Sequence, residues 1–81
     1  MINPRSRTPP YEQVAELLEA RIVSGQYPKD ERIPSESELM AEFEIGRTTA
    51  RKAVAWLRDH GLVETVPTRG TYVVSAPRSE H

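Results

Sequence analysis

The sequence predicts an α+β fold, with three helices around one core and a C-terminal β-hairpin. Three observations carry that expectation. Apolar residues recur at helical spacing in three separate segments. Each segment is bounded by capping or breaking residues. The last apolar runs are rich in β-formers and flank the short polar tip "PTRG".

The first ten residues hold three of the seven prolines and little that is apolar. Residues 1–10, with Arg5 and Arg7, read as a flexible arm. The first helix is expected over about Tyr11–Ser24. Val14, Ala15, Leu18 and Ile22 form its apolar stripe, while Glu12, Glu16 and Glu19 give it an acidic face. Gly25 stands where a left-handed cap is usual.

The connector 26–34 contains a brief extended piece at Arg32 and Ile33, because Pro34 disfavours the helical region for its predecessor. The second helix starts after Ser35, where Ser35 and Glu38 have the spacing of a capping box. Leu39, Met40 and Phe43 are its expected buried side, and "EIG" makes the turn. The third helix spans about Arg47–His60, with Gly61 as its stop. Ala50, Ala53, Val54 and Leu57 share its apolar face. Thr48, Arg51, Lys52 and Ala55 lie opposite, with Arg47 and Arg58 on the flank. Leu62–Val66 and Thr71–Val74 are the expected hairpin strands, and residues 76–81 read as a polar tail.

Composition narrows the function. Eighty-one residues make one domain, 11–75 here, with little room for a ligand cavity. There is no cysteine, hence no disulfide framework or thiolate metal site. His60 and His81 are too few and too far apart for a metal cluster. No nucleophile–base pair or phosphate-cradling glycine loop is present, so no enzyme and no cofactor are expected. No apolar run approaches a membrane span, and the N-terminus lacks a signal-peptide core, so a cytoplasmic, membrane-free protein is expected.

Net charge is −1, but its distribution is uneven. Residues 11–45 carry nine acids and three bases, net −6; residues 46–61 carry four bases and one acid, net +3. A local positive field is what docking on phosphates needs. A basic helix is also compatible with a plain solvated face.

Helix, turn, basic helix and hairpin, in that order, are the parts of a winged helix-turn-helix. The third helix is the candidate reader of DNA. Arg47 and Arg51 match the two acceptors on a guanine edge, and Thr48 and Thr49 can serve a base or a phosphate. The second helix opens with Ser35, Glu36 and Ser37, whose amides can clamp a phosphate. The tip presents Thr68, Arg69 and Gly70 to backbone or minor groove. Plainer readings stand beside these. Ser35 is first a cap, Gly61 and Gly70 answer backbone needs, and Thr48 and Thr49 tolerate a helix start. Trp56 is either half-buried packing, the favoured reading, or part of a partner surface.

At "YEQVAELLEARIVSGQY", "IPSESELMAEF", "RTTARKAVAWLRDHGLV" and "GTYV" the chain resembles the N-terminal winged helix-turn-helix of the GntR family of bacterial transcription regulators. The likeness covers Tyr11 to Val74, and "PPYEQVAELL" is most similar to the HutC and YtrA branches. It implies a repressor-type domain that binds double-stranded DNA at a palindromic operator as a homodimer. It places DNA contacts on Ser35, Glu36, Arg47, Thr48, Thr49, Arg51, Arg69 and Gly70; Ser37, Lys52 and Thr68 complete the candidate set.

There are departures from the family pattern. Ser37 stands where arginine is usual, Gly46 where serine caps the helix, Thr68 where glycine is frequent, and Asp30 where a glycine often turns the chain. A lost contact, a weaker cap and a differently shaped tip are the expectations. Family members normally continue into a C-terminal domain that binds a small effector and dimerises. An effector ligand is expected only if such a domain is missing here, and the untagged start and tail favour a complete short member. The competing class is a winged helix used for protein interaction, supported by the acidic first helix and Trp56.

Overall fold

The computed structural model describes residues 7–74 as helices α1 (Pro10–Val23), α2 (Glu36–Phe43) and α3 (Arg47–Asp59), followed by strands β1 (Val63–Val66) and β2 (Gly70–Val73). This is the winged helix-turn-helix the sequence predicts.

α1 begins at Pro10, one residue before the expected start. Proline suits a first helical position, where its missing N–H is no loss. The amides of Glu12 and Gln13 donate to the Pro9 carbonyl at 3.0 and 3.1 Å, and Gln13 Nε2 donates to the Thr8 carbonyl at 2.8 Å. The helix closes at Ser24, and Gly25 takes the left-handed conformation foreseen for it, with φ 87°.

The capping box of α2 is formed. The Glu38 amide donates to Ser35 Oγ at 3.1 Å, and the Ser35 amide donates to Glu38 Oε1 at 2.7 Å. Glu44 ends the helix at φ 54°, a left-handed turn made without glycine. Met40, expected with Leu39 and Phe43 on the buried side, is only partly buried at the edge of the core. Gly46 stands at the N-cap of α3 and gives no side-chain cap, as its lack of a hydroxyl implies.

β1 and β2 pair antiparallel in the register Val63↔Val73, Glu64↔Tyr72, Thr65↔Thr71 and Val66↔Gly70. The extended piece before α2 adds a short third rung on the other edge of β2. Asp30 N donates to Val73 O at 2.8 Å, Val73 N to Glu31 O at 2.9 Å, and Ile33 N to Thr71 O at 2.9 Å. Asp30 takes φ 72°, the left-handed turn that aspartate tolerates in place of glycine.

The core gathers Val14, Ala15, Leu18 and Ile22 of α1, Leu39 and Phe43 of α2, and Ala50, Ala53, Val54 and Leu57 of α3. Ile33, Leu62, Val63 and Val73 close it from the hairpin side. Alanines on α3 let α1 and α3 pack closely. Among the described residues no polar or charged side chain is buried. All the charged chemistry therefore lies on the surface.

Candidate nucleic-acid interface

The tight turn after α2 sets the first turn of α3 against the first turn of α2. Arg47 and Arg51 stand four residues apart on α3, one turn of helix, and share a face. Glu36 lies between them. Its Oε1 is 3.6 Å from Arg47 Nη1, and its Oε2 is 3.8 Å from Arg51 Nε. Both arginine side chains remain more than half exposed, at 56% and 66%. Exposed pairs at these distances are worth about 0–1 kcal/mol. They orient the guanidinium groups without sequestering them.

Ser35, Ser37, Arg47, Thr48 and Arg51 are exposed, with Glu36 and Thr49 half-buried around them. The fold thus brings together the two helix starts that the sequence nominated. Ser35 is the cap of α2, and its oxygen accepts from Glu38; the hydroxyl proton is still available to an acceptor.

Lys52 does not join this group. Its ammonium lies 5.8 Å from the centre of the Tyr11 ring, on the α1 side of α3. There it helps line a shallow hollow of about 280 Å³ with Tyr11, Ala55, Trp56 and Asp59. Trp56 packs against the core and stacks on His60, with ring centres 3.7 Å apart. The packing reading of Trp56 fits this placement. Arg58 turns toward the hairpin, where Nη1 donates to Thr65 Oγ1 at 3.1 Å.

The wing tip is a tight turn closed by Arg69 N donating to Val66 O at 3.0 Å. Thr68 occupies its third position with φ 64°. Glycine is usual there because a side chain is strained at positive φ, more so a β-branched one. Thr68 nevertheless takes the glycine-like conformation, with Oγ1 donating to Pro67 O at 2.6 Å. The tip therefore keeps the backbone twist that the substitution put in question. Arg69 is exposed at its end. Gly70 has φ 131°, and the Arg32 side chain lies over it. Sequence reading passed over Arg32 because it sits in a connector of balanced charge, beside Asp30 and Glu31 and outside the basic third helix. The available signal was the in–out alternation of Ile33 and Arg32.

The family model described as "Bacterial regulatory proteins, gntR family" matches residues 10–73. The chain belongs to the gntR family of bacterial regulatory proteins. Among its relatives, the HTH-type transcriptional repressor NagR of Bacillus subtilis (strain 168) is 39% identical over 79 residues, covering 98% of this chain and 32% of NagR. The histidine utilization repressor of Klebsiella aerogenes is 41% identical over 71 residues, covering 86% of this chain and 30% of that protein. The chain thus spans about a third of the length of these curated relatives.

Solved gntR-type structures share the architecture. The AraR DBD in complex with operator ORX1 superposes with a TM-score of 0.83 at 38% identity, covering 91% of this chain and 92% of that one. YtrA from Sulfolobus acidocaldarius, a GntR-family transcription factor, gives 0.83 at 30% identity, covering 95% and 81%. Among the described residues no helix is long and apolar enough to cross a membrane.

Proposed function

We propose that this gntR-family chain is the DNA-reading part of a bacterial transcription regulator of repressor type, acting in the cytoplasm on double-stranded DNA. α3 enters the major groove by its N-terminal half. Arg47 and Arg51 present guanidinium groups to base edges, with Thr48 and Thr49 beside them. The start of α2, with Ser35, Glu36 and Ser37, faces the flanking phosphates. The wing carries Thr68, Arg69 and Gly70 to the backbone or minor groove. Lys52, set apart on the α1 side, serves at most as a long-range positive charge.

The observation that carries this reading is the pair Arg47 and Arg51, one turn apart, exposed, and gathered by Glu36 against the start of α2. It is supported by relatives named as repressors and by the likeness to an AraR DBD–operator complex. An effector ligand enters only through a further domain of the kind its longer relatives have room for.

Selection from a random duplex pool tests the reading. The wild-type chain should enrich one short motif. Enrichment no better than that of an Arg47→Ala/Arg51→Ala double variant would sink it. The second reading, a protein-interaction module, is favoured by the Tyr11–Trp56 hollow. It requires that the double variant keep full function.

A further inference from the structure

We propose that Arg32 is an additional DNA-backbone contact, seated by Gly70 on the outer face of the wing. The inference rests on the DNA-binding reading above and adds to it a residue that neither the motif nor the charge pattern singled out.

The backbone of Arg32 is fixed by pairing. Arg32 forms an antiparallel bridge with Tyr72, and the next amide, Ile33 N, donates to Thr71 O at 2.9 Å. Side chains alternate along this rung. Ile33 turns into the core and is 1% exposed, so Arg32 turns outward.

On that outer face the Arg32 stem crosses Gly70. A Cβ at Gly70 would stand 2.7 Å from Arg32 Cδ and 3.3 Å from Cγ, closer than van der Waals contact allows. Gly70 therefore meets two needs at once. It adopts φ 131°, and its bare surface leaves a path for the Arg32 stem. A packed aliphatic stem with a wet head is the arrangement long basic side chains favour.

The guanidinium end is uncommitted. Arg32 is exposed, and among the described residues no carboxylate lies within ion-pair distance of it. Its charge is felt at the start of α2. The Glu38 carboxyl is held below the ordinary range first by hydrogen bonds from Ser35, and Arg32 adds to that lowering. Arg32 thus places a positive charge between the first turn of α2 and the wing tip. With α3 in the major groove, the phosphate backbone passes both of those elements on its way to the wing. A fork-shaped cation held there donates to phosphate oxygens, which fixes register without reading sequence.

The test uses the full 81-residue chain with two probes: a duplex it selects from a random pool, and a scrambled duplex of the same composition. Affinity is measured across a salt series for wild type, Arg32→Met, Arg32→Lys and Gly70→Ala. Losing one phosphate contact should reduce the salt slope by about 0.9, which is about eightfold in affinity at 0.1 M salt relative to 1 M. Arg32→Met should show that loss on both probes while the free protein melts as wild type does. Arg32→Lys should recover most of the slope. Gly70→Ala, strained at φ 131° in either background, should lower the slope by more in the wild-type background than in the Arg32→Met background.

Salt plots of Arg32→Met and wild type that run parallel would overturn the proposal. So would a fall in melting temperature with an unchanged slope, which is the mark of packing alone. Equal Gly70→Ala losses in both backgrounds would overturn the seating. A wild-type chain that selects no duplex defeats the DNA reading and this inference together. A wild-type chain that binds while Arg32→Met titrates in parallel defeats this inference alone.

Discussion

Glu36 sits where two like charges of α3 would otherwise push each other apart. Its two oxygens face Arg47 and Arg51 in turn, at 3.6 and 3.8 Å. A carboxylate is a poor neighbour for phosphate, so on the proposed reading Glu36 aims the guanidinium groups rather than touching the backbone itself. If Arg51 then reads a guanine, Arg51→Ala should weaken specific binding by about 1–3 kcal/mol. Titration against the selected and scrambled duplexes checks it. Equal loss on both makes Arg51 a phosphate contact, and no loss removes it from the site. Thr68 offers a stability test at the same scale. A non-glycine residue in the left-handed region costs roughly 1–2 kcal/mol, of which glycine gives back about 0.5–1 through its freer unfolded chain. Thr68→Gly should therefore stabilise the domain by up to about 1 kcal/mol, read by urea unfolding. A destabilised variant would show that the short bond from Thr68 Oγ1 to Pro67 O outweighs the strain.

The elements differ in how far local sequence determines them. α1, α2 and α3 were legible because each has an apolar stripe at helical spacing and a recognisable end: Gly25, the Ser35–Glu38 box, Gly61. The candidate residues on the starts of α2 and α3 were legible for the same reason, since a helix start can be read from the chain. The third rung on β2 was not. Arg32 and Tyr72 lie forty residues apart, and pairing across such a distance leaves no periodic trace in either segment. The place of Lys52 was missed in a related way. Its helical face was right, but the Tyr11 ring that draws it aside belongs to another element.

The wing gives an element-scale prediction. Arg69→Ala should weaken binding to all sequences and lower the salt slope by about one if Arg69 meets phosphate. Slopes that stay parallel would leave it off the backbone. A second element-scale prediction concerns the link between α1 and α2. Arg21 donates to both oxygens of Glu42 and to Tyr27 Oη, and its guanidinium lies 5.4 Å from the Phe43 ring centre. The Arg21 hydrogen bond holds the Glu42 carboxyl below the ordinary carboxylate range. A group depressed in the folded state stabilises above its unfolded value, near 4.3, and that stability is lost as pH falls through the folded value. Glu42→Gln should cost up to about 1 kcal/mol near neutral pH, as exposed pairs do. The gap to wild type should close in acid. A gap that stays constant as the solution is acidified would assign the loss to packing instead.

At the scale of the whole molecule, charge is uneven along the chain: residues 11–45 carry net −6 and residues 46–61 net +3. α1 presents glutamates on its outer side, while Arg47 and Arg51 stand beside the start of α2, and Lys52 and Arg58 turn toward α1 and the hairpin. On the proposed DNA-binding reading, this unevenness favours approach to DNA by the α3 side despite the net charge of −1. The apolar side is already consumed by the core. The exposed large hydrophobics among the described residues are Leu17, Val23 and Val74. Leu17 and Val23, six residues apart on α1, lie on different faces of it. Trp56 is occupied by the core and by His60. No contiguous patch of the size that anchors a stable dimer is left among these residues. The isolated 81-residue chain should therefore be monomeric in solution and should pair on DNA, two copies meeting a two-fold symmetric duplex with half-sites about one turn apart or closer. Sedimentation of the free chain, and of the chain with the selected duplex, decides it. A tight dimer without DNA would refute the monomer, and Trp56→Ala would then show whether that ring is its anchor. A single copy bound at full affinity to one half-site would refute the pairing, because symmetry in the operator has a use only if two copies read it.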